Sequence, residues 1–292
     1  MSNVKIVTSI YELNLEEERG GTVYKNFPLT SLTIRNIIFE KYKYVIYTNK
    51  FTFEKHDMGK LFDYPNVEIK FQELNQDFYT QYVNPIREKR FKDGDIWERY
   101  YSVKNYIEVI INKFKHLLEE SEDGDNTFWL DAGLFGTSCN DGWRDYMVEI
   151  AHTENFIEKI NEKINLHDFI CLRGKDIQLN YIIQDRLFEE FKVNIKTVPG
   201  CLFGGKRKKI IEVLSEYQDI FKRYIEKYQE LVSEQEILSI LTHKNDVNFY
   251  DFGDWLDLQK AFLNIMDVYD EKKYITNSCE LYSTKYLANY KR

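Results

Sequence analysis

Glycine and proline are scarce in this sequence. Its 292 residues include 13 Gly and 4 Pro, which excludes collagen-like and linker-rich designs. No apolar run approaches the roughly 20 residues of a membrane-spanning helix. Met1-Ser2-Asn3-Val4-Lys5 leads straight into a strand-like run without the apolar centre of a signal peptide. The four cysteines (Cys139, Cys171, Cys201, Cys279) form no C-x-x-C pair. They read as reduced thiols of a cytoplasmic protein, or of the host cytoplasm for a viral one. The five histidines (His56, His116, His152, His167, His243) fall in neither H-E-x-x-H nor H-x-E spacing, so zinc hydrolase and deaminase chemistry is unsupported. The P-loop, the Rossmann G-x-G-x-x-G and the G-x-S-x-G elbow are absent as well.

What the sequence has is charge and aromatic side chains. The 16% aromatic content is hard to reconcile with a disordered chain. The formal net charge of −8 disfavours nucleic acid as a partner. Lys206-Arg207-Lys208-Lys209 is the one compact basic patch. The length suits one large domain or two modest ones, and either can bury a substantial core.

Val4–Ile10, Tyr44–Thr48 and Val67–Phe71 read as strands, with a helix expected after Pro28 over Asn26–Phe39. Val103, Ile107, Ile110, Ile111, Phe114, Leu117 and Leu118 share one helical face. Thr127–Leu130 reads as a short strand, Asn155–Ile164 as a helix, Phe169–Leu172 as a strand and Ile177–Phe188 as a helix. Val193–Val198 is a candidate strand stopped by Pro199-Gly200. From Lys206, apolar residues step by four and three through Ile210, Leu214, Tyr217, Phe221, Tyr224, Tyr228 and Leu231, which reads as one long helix. Ser233 with Glu236 has the form of a capping box before Ile237–Leu241, and Leu258–Tyr269 reads as a final helix. Strands alternating with helices imply an α/β fold with a mixed, mostly parallel sheet flanked by helices and a helical C-terminal part. The expected organisation is a single domain over 1–292 with a helical tail at 258–292.

In open α/β sheets, ligands gather at the carboxyl ends of strands. Those ends here carry Thr8-Ser9 with Tyr11 nearby, Thr48-Asn49, and Asp131 followed by Ala132-Gly133. Asp131 either starts a turn or holds a divalent cation while a diphosphate approaches bare backbone. Gly204-Gly205 ahead of the basic Lys206–Lys209 run is either a tight turn or a phosphate cradle at a helix start. Glu234 is either a helix-capping acid or a general base. Tyr11, Trp129, Trp143 and Trp255 are candidates to stack on a base or a sugar.

These features, in this order, resemble the GT-A type of nucleotide-sugar glycosyltransferase, nearest the HtrL/WlaTC-like bacterial glycosyltransferases. Val4–Ser9, Val45-Ile46-Tyr47-Thr48-Asn49, Phe128-Trp129-Leu130-Asp131-Ala132-Gly133-Leu134, Phe203-Gly204-Gly205 and Ser233-Glu234-Gln235 carry the resemblance. It implies a GT-A-like, Rossmann-like fold and a hexosyl- or pentosyltransferase with a nucleotide-sugar donor and a glycan or other hydroxyl acceptor. Within the single domain it implies a nucleotide-sugar-binding half at 1–135 and an acceptor-side half at 136–257. Thr8, Ser9 and Tyr11 would hold the nucleoside, and Lys104 would approach the nucleotide or sugar. Gly204 and Gly205 would shape the donor-sugar pocket. Glu234, with Asp254 beside Trp255 as second choice, would be the acceptor-side carboxylate. Asp131 would stand in the family's Asp-x-Asp and bind Mn2+ or Mg2+. The second acid is replaced by Gly133, a departure that implies either a weaker metal site, one completed by His243 or Asp254 from elsewhere, or no metal. That missing acid keeps a non-catalytic carbohydrate- or protein-binding module as the alternative. A phage-type glycosyltransferase acting on modified DNA bases is a third reading, with the negative net charge against it.

Overall fold

The computed structural model describes residues 3–12, 34–35, 37–74, 81–83, 85–86, 106–132, 154–173, 189, 200–245, 247–251 and 264–267. In chain order the elements are β1 (Asn3–Ser9), β2 (Lys43–Thr48), α1 (Lys50–Lys55), α2 (Met58–Leu61), β3 (Val67–Phe71), α3 (Tyr106–Glu120) and β4 (Asp125–Leu130). They continue with α4 (Glu154–His167), β5 (Phe169–Arg173), β6 (Leu202–Lys206), α5 (Arg207–Leu214), α6 (Tyr217–Tyr228), α7 (Glu234–Lys244) and β7 (Asn248–Asp251). The seven strands form one sheet in the order β3-β2-β1-β4-β6-β5-β7. All run parallel except β6, which is antiparallel to both its neighbours, β4 and β5. This is the mixed, mostly parallel α/β sheet expected from the alternation of strand and helix signals.

The central strands are apolar on both faces because both are covered. Val7, Val45, Trp129, Phe169 and Phe203 point to one side and pack against α3, α5, α6 and α7. Their alternating neighbours Ile6, Ile46, Phe128, Ile170 and Leu202 point to the other side, where α4 supplies Phe156, Ile157, Ile160 and Ile164. Ile107, Ile110, Ile111, Phe114 and Leu117 of α3 are buried against the first face and Leu118 partly so, with Phe114 edge-on to both Phe203 and Tyr217.

The expected long helix from Lys206 is two helices. Ser215 keeps helical dihedrals, but Glu216 at φ −85°, ψ 1° interrupts the hydrogen-bond ladder. So short a break leaves the four-three spacing of the apolar residues in phase, which is why the sequence shows no seam. The capping box at Ser233 is present, with Ser233 N–H donating to Glu236 Oε2 at 2.8 Å. The helices expected over Ile177–Phe188 and the strand over Val193–Val198 lie outside the described residues. So does most of the C-terminal tail, of which 264–265 are helical. Among the described residues no helix is long and apolar enough to cross a membrane.

Gly204 and Gly205 are not in a turn. They lie within β6, opposite Phe128 and Thr127 of β4. Gly204 has φ +157°, and a Cβ there would stand 2.4 Å from the Phe128 Cα and the Thr127 carbonyl oxygen. A Cβ on Gly205 would stand 2.1 Å from the Asp168 carbonyl oxygen. The glycines are therefore required by strand-to-strand approach, and backbone atoms cannot yield as a side chain can. Gly204→Ala is expected to cost about 3 kcal/mol or more of stability, read from urea midpoints followed by circular dichroism. An unchanged midpoint would refute the close-approach account.

Candidate active site

β1 is followed by chain leading to β2 on one side of it, whereas β4 lies on its other side and leads on to the β5–β7 half. Adjacent parallel strands whose connections diverge leave a crevice at their carboxyl ends, the usual ligand position in open α/β sheets. Val7 pairs with Trp129, so Ser9, two residues on, faces the level of Asp131 across that crevice. Ser9 is half-buried.

Asp131 follows β4 directly, and its backbone N–H donates to the Cys201 carbonyl at 2.9 Å. Its carboxylate is held by two donors. Trp129 Nε1 donates to Oδ1 at 2.6 Å, and Lys113 Nζ lies 2.9 Å from Oδ1 and 3.2 Å from Oδ2. The same ammonium donates to Glu234 Oε1 at 3.1 Å and to the Gly200 carbonyl at 3.0 Å. Thus one lysine on α3 joins the end of β4, the entry to β6 and the first turn of α7. The side chains of Lys113 and Glu234 are 7% and 5% exposed, against 33% for Asp131, so Asp131 is the member of the triad that meets the cleft. Gly200 has no side chain for a packing reason: a Cβ there would stand 2.7 Å from Glu234 Cγ.

Burial works to strip the proton from Lys113, but Asp131 and Glu234 outweigh it and hold the ammonium well above the ordinary lysine range. Burial pushes the Glu234 carboxyl up, against the pull of Lys113. It also pushes the Cys201 thiol up, so this cysteine is an inert core group and not a thiolate nucleophile.

Among the candidates named from the sequence, Asp131 and Glu234 are brought together, with Ala132 buried beside them. Thr8 is buried in β1, and its Oγ1 has no hydrogen-bond partner. Tyr11 and Trp129 are each 1% exposed, which leaves neither a face on which a ligand could stack. Trp129 serves instead as a donor to Asp131. Thr48 is buried, donating to the Ile10 carbonyl at 2.7 Å, and Asn49 caps α1 by accepting from Thr52 N–H at 2.8 Å. His243 is exposed on the last turn of α7. Nine residues separate it from Glu234, about 13 Å along the helix axis, so α7 does not bring it to Asp131. Lys206 pairs with Asn126, at the opposite end of β4 from Asp131. The Lys206–Lys209 patch therefore sits about 16 Å from the acid, with Lys206 on Asp168 and Lys209 on Glu212. Lys104, Gly133, Trp143, Asp254 and Trp255 lie outside the described residues.

Lys113 was not among the candidates. Its signal is its position: it falls three residues after Ile110 and four before Leu117, on the apolar stripe of α3, where a charge must find a buried partner.

The residues present do not fit a divalent cation at Asp131. Among the described residues no group of three His, Cys, Asp or Glu converges. Both Asp131 oxygens already face Lys113, and a dication bound to Oδ2 about 5 Å from that ammonium would be repelled by roughly 7 kcal/mol at an effective dielectric of about 20.

A second polar cluster lies farther along α3. A hollow of about 470 Å³ is lined by Tyr47, Lys70, Gln72, Lys115 and Glu120 among others. Of its two acids, Glu120 is 2.6 Å from both Lys70 Nζ and the Tyr47 hydroxyl, and Glu119 Oε2 lies 3.4 Å from the same hydroxyl. We therefore place the site at the half-exposed Asp131. Beside the hollow, His116 stacks on Tyr47 at 3.6 Å and contacts Gln72 Oε1 through Nε2 at 2.5 Å, while its Nδ1 is buried without a partner. Burial, aided by Lys115, holds this imidazole well below the ordinary histidine range.

No protein-family model and no curated protein matches the sequence. Several solved structures share the general chain path. The apo form of mouse xyloside xylosyltransferase 1 aligns over 85% of this chain and 84% of its own, at 8% identity and a TM-score of 0.43. An active-site mutant of LgtC aligns over 81% and 69%, at 7% identity and 0.38. The 4-diphosphocytidyl-2C-methyl-D-erythritol synthase of Anaerococcus prevotii aligns over 91% and 95%, at 9% identity and 0.40. These TM-scores lie below one half, and the likeness carries no argument about what this chain does.

Two outcomes follow from the site's electrostatics. Lys113→Met leaves the buried Glu234 beside Asp131 with no cation between them, and should cost about 3–5 kcal/mol in chemical unfolding. Lys113→Met combined with Glu234→Gln should regain most of that loss, and a double variant no better than the single would refute the ion-pair account. His116 stays neutral in the fold and takes a proton on unfolding, so stability should fall as pH drops below about 6.5, by up to about 1.4 kcal/mol per pH unit. His116→Phe should lack that component in urea titrations at pH 7, 6 and 5; parallel curves for the two proteins would refute it.

Proposed function

We propose that the chain is a glycosyltransferase that takes a sugar from a nucleotide-sugar donor to an acceptor hydroxyl. The observation that carries this reading is Asp131, a half-exposed carboxylate fixed at the switch-point crevice between β1 and β4 and joined through one ammonium to Glu234. The order of motifs from Val4 to Gln235 supports it by resemblance. The crevice admits the nucleotide end of the donor along the carboxyl edge of β1, by Ser9.

Asp131 is the group that meets substrate. Among the described residues Oδ1 accepts from the Trp129 N–H and Oδ2 accepts from Lys113, which leaves each oxygen a lone pair for a further donor. A carboxylate held rigidly from behind is suited to orient a sugar hydroxyl, because little conformational freedom remains to be lost on binding. Glu234 is buried behind it, and its part is to hold Lys113 rather than to take a proton from an acceptor. The three N–H bonds of Lys113 are all used within the protein, so the charge on the departing nucleoside diphosphate is met by other cations. Lys104, four residues ahead of Glu108 in the same stretch of sequence, is the candidate.

The pairing of both acids with Lys113 also suits the binding-module alternative, in which a sugar is held and not transferred. One screen separates the two. The full chain is incubated with a panel of nucleotide sugars, each with and without Mn2+ or Mg2+, and nucleoside-diphosphate release and donor binding are both measured. Release is expected with at least one donor, and Asp131→Asn should lower its rate by at least about 100-fold while leaving the melting temperature near that of the wild type. Binding without release favours the module; neither binding nor release with any donor refutes the transferase reading.

A further inference from the structure

We infer that Lys113 occupies the position at which the resemblance would put a divalent cation, so that the pair Asp131–Glu234 is a cation site already filled by the protein's own ammonium. The cage has the shape of an ammonium's needs. Three acceptors come from three elements: Asp131 after β4, the Gly200 carbonyl before β6 and Glu234 at the start of α7. They match the three N–H bonds of a lysine one for one. Their hydrogen-bond distances of 3.2, 3.0 and 3.1 Å lie in the N–H···O range. A magnesium ion needs oxygens at about 2.1 Å and near-octahedral geometry, which this cage lacks.

Sequence makes the same point from another side. Gly133 removes the second acid of an Asp-x-Asp, yet a second carboxylate is still present, supplied by Glu234 from α7. The two acids converge on one positive charge, which the chain carries on α3. Loss of the acidic motif and burial of a lysine are therefore a single arrangement. In it Lys113 is a positioning residue that fixes Asp131 toward the cleft, and a diphosphate in the crevice meets no bound metal at that carboxylate.

The arrangement makes an unusual demand: removing a cationic side chain should create a metal site. Lys113→Ala leaves Asp131, Glu234 and the Gly200 carbonyl around a space where a dication can enter without meeting an ammonium. Manganese binding is followed by the electron paramagnetic resonance signal of free Mn2+, titrated into the full chain with no donor present. That keeps the outcome independent of the nucleoside-diphosphate screen, which alone judges the transferase reading. The wild type is expected to take up no Mn2+ that Asp131→Asn removes, and Lys113→Ala should bind one ion at least tenfold more tightly than the wild type. Mn2+ should also raise the melting temperature of Lys113→Ala and leave that of the wild type unchanged. Wild-type binding of one ion that is lost in Asp131→Asn overturns the inference, as does a folded Lys113→Ala that gains no binding. Should Lys113→Ala fail to fold, the comparison of wild type with Asp131→Asn decides alone.

Discussion

One buried ammonium ties the functional half of this molecule together. Lys113 reaches from α3 to the end of β4, to the backbone entering β6 and to the first turn of α7, and each contact replaces a hydrogen bond that the group would otherwise make to water. Nothing else described links these four segments through a single atom. The energetic logic is asymmetric. The intact cluster returns little net stability, because Lys113 and Glu234 have been taken from water, but the loss of the shared ammonium leaves both acids without their partner. Such a cluster is better understood as a device for fixing geometry than as a source of stability.

The fold supplies the surroundings that make the device possible. The sheet is covered on both faces, so the interior near Lys113 is dry, with Trp129 and Phe114 fully buried on the same side. The ammonium lies 5.8 Å from the centre of the Trp129 ring. The indole thus touches the cluster through its π face and its N–H, and the residue that looked like a stacking platform is part of the wall. The glycines follow the same logic. Gly200 makes room for Glu234, and Gly204 and Gly205 let β6 lie close between its neighbours.

Much of the fold was legible because its core strands are short apolar runs bounded by turn residues, and because α3 and α4 show strong helical periodicity. β3 was read to the residue, and β2 and β4 to within two. The elements that were missed carry weak or misleading signals. Lys50–Lys55 alternates Phe51 and Phe53 like a strand, yet forms a helix capped by Asn49. β7 has only four residues, too few to show a period. In the site, Asp131 and Glu234 could be found because acids at strand and helix ends are conspicuous. Their junction could not, since it depends on a lysine 18 residues before one and 121 before the other. The Gly-Gly pair misled for a related reason: a sequence shows that side chains are missing, but not whether a ligand or a neighbouring strand requires the space.

The reversed direction of β6 has one more consequence. Because β6 runs opposite to β5, the chain leaves the sheet at Arg173 and returns at Leu202 on the same edge, the edge that carries Asp131. A parallel strand in that place would have required a crossover to the far edge, and any change in its length would have strained the sheet. Here the segment between Arg173 and Gly200 begins and ends beside the crevice. A change in the length of that segment leaves the register of β5 on β6 and of β6 on β4 as it is. The sheet can thus be inherited intact while the chain that joins Arg173 to Gly200 changes in length.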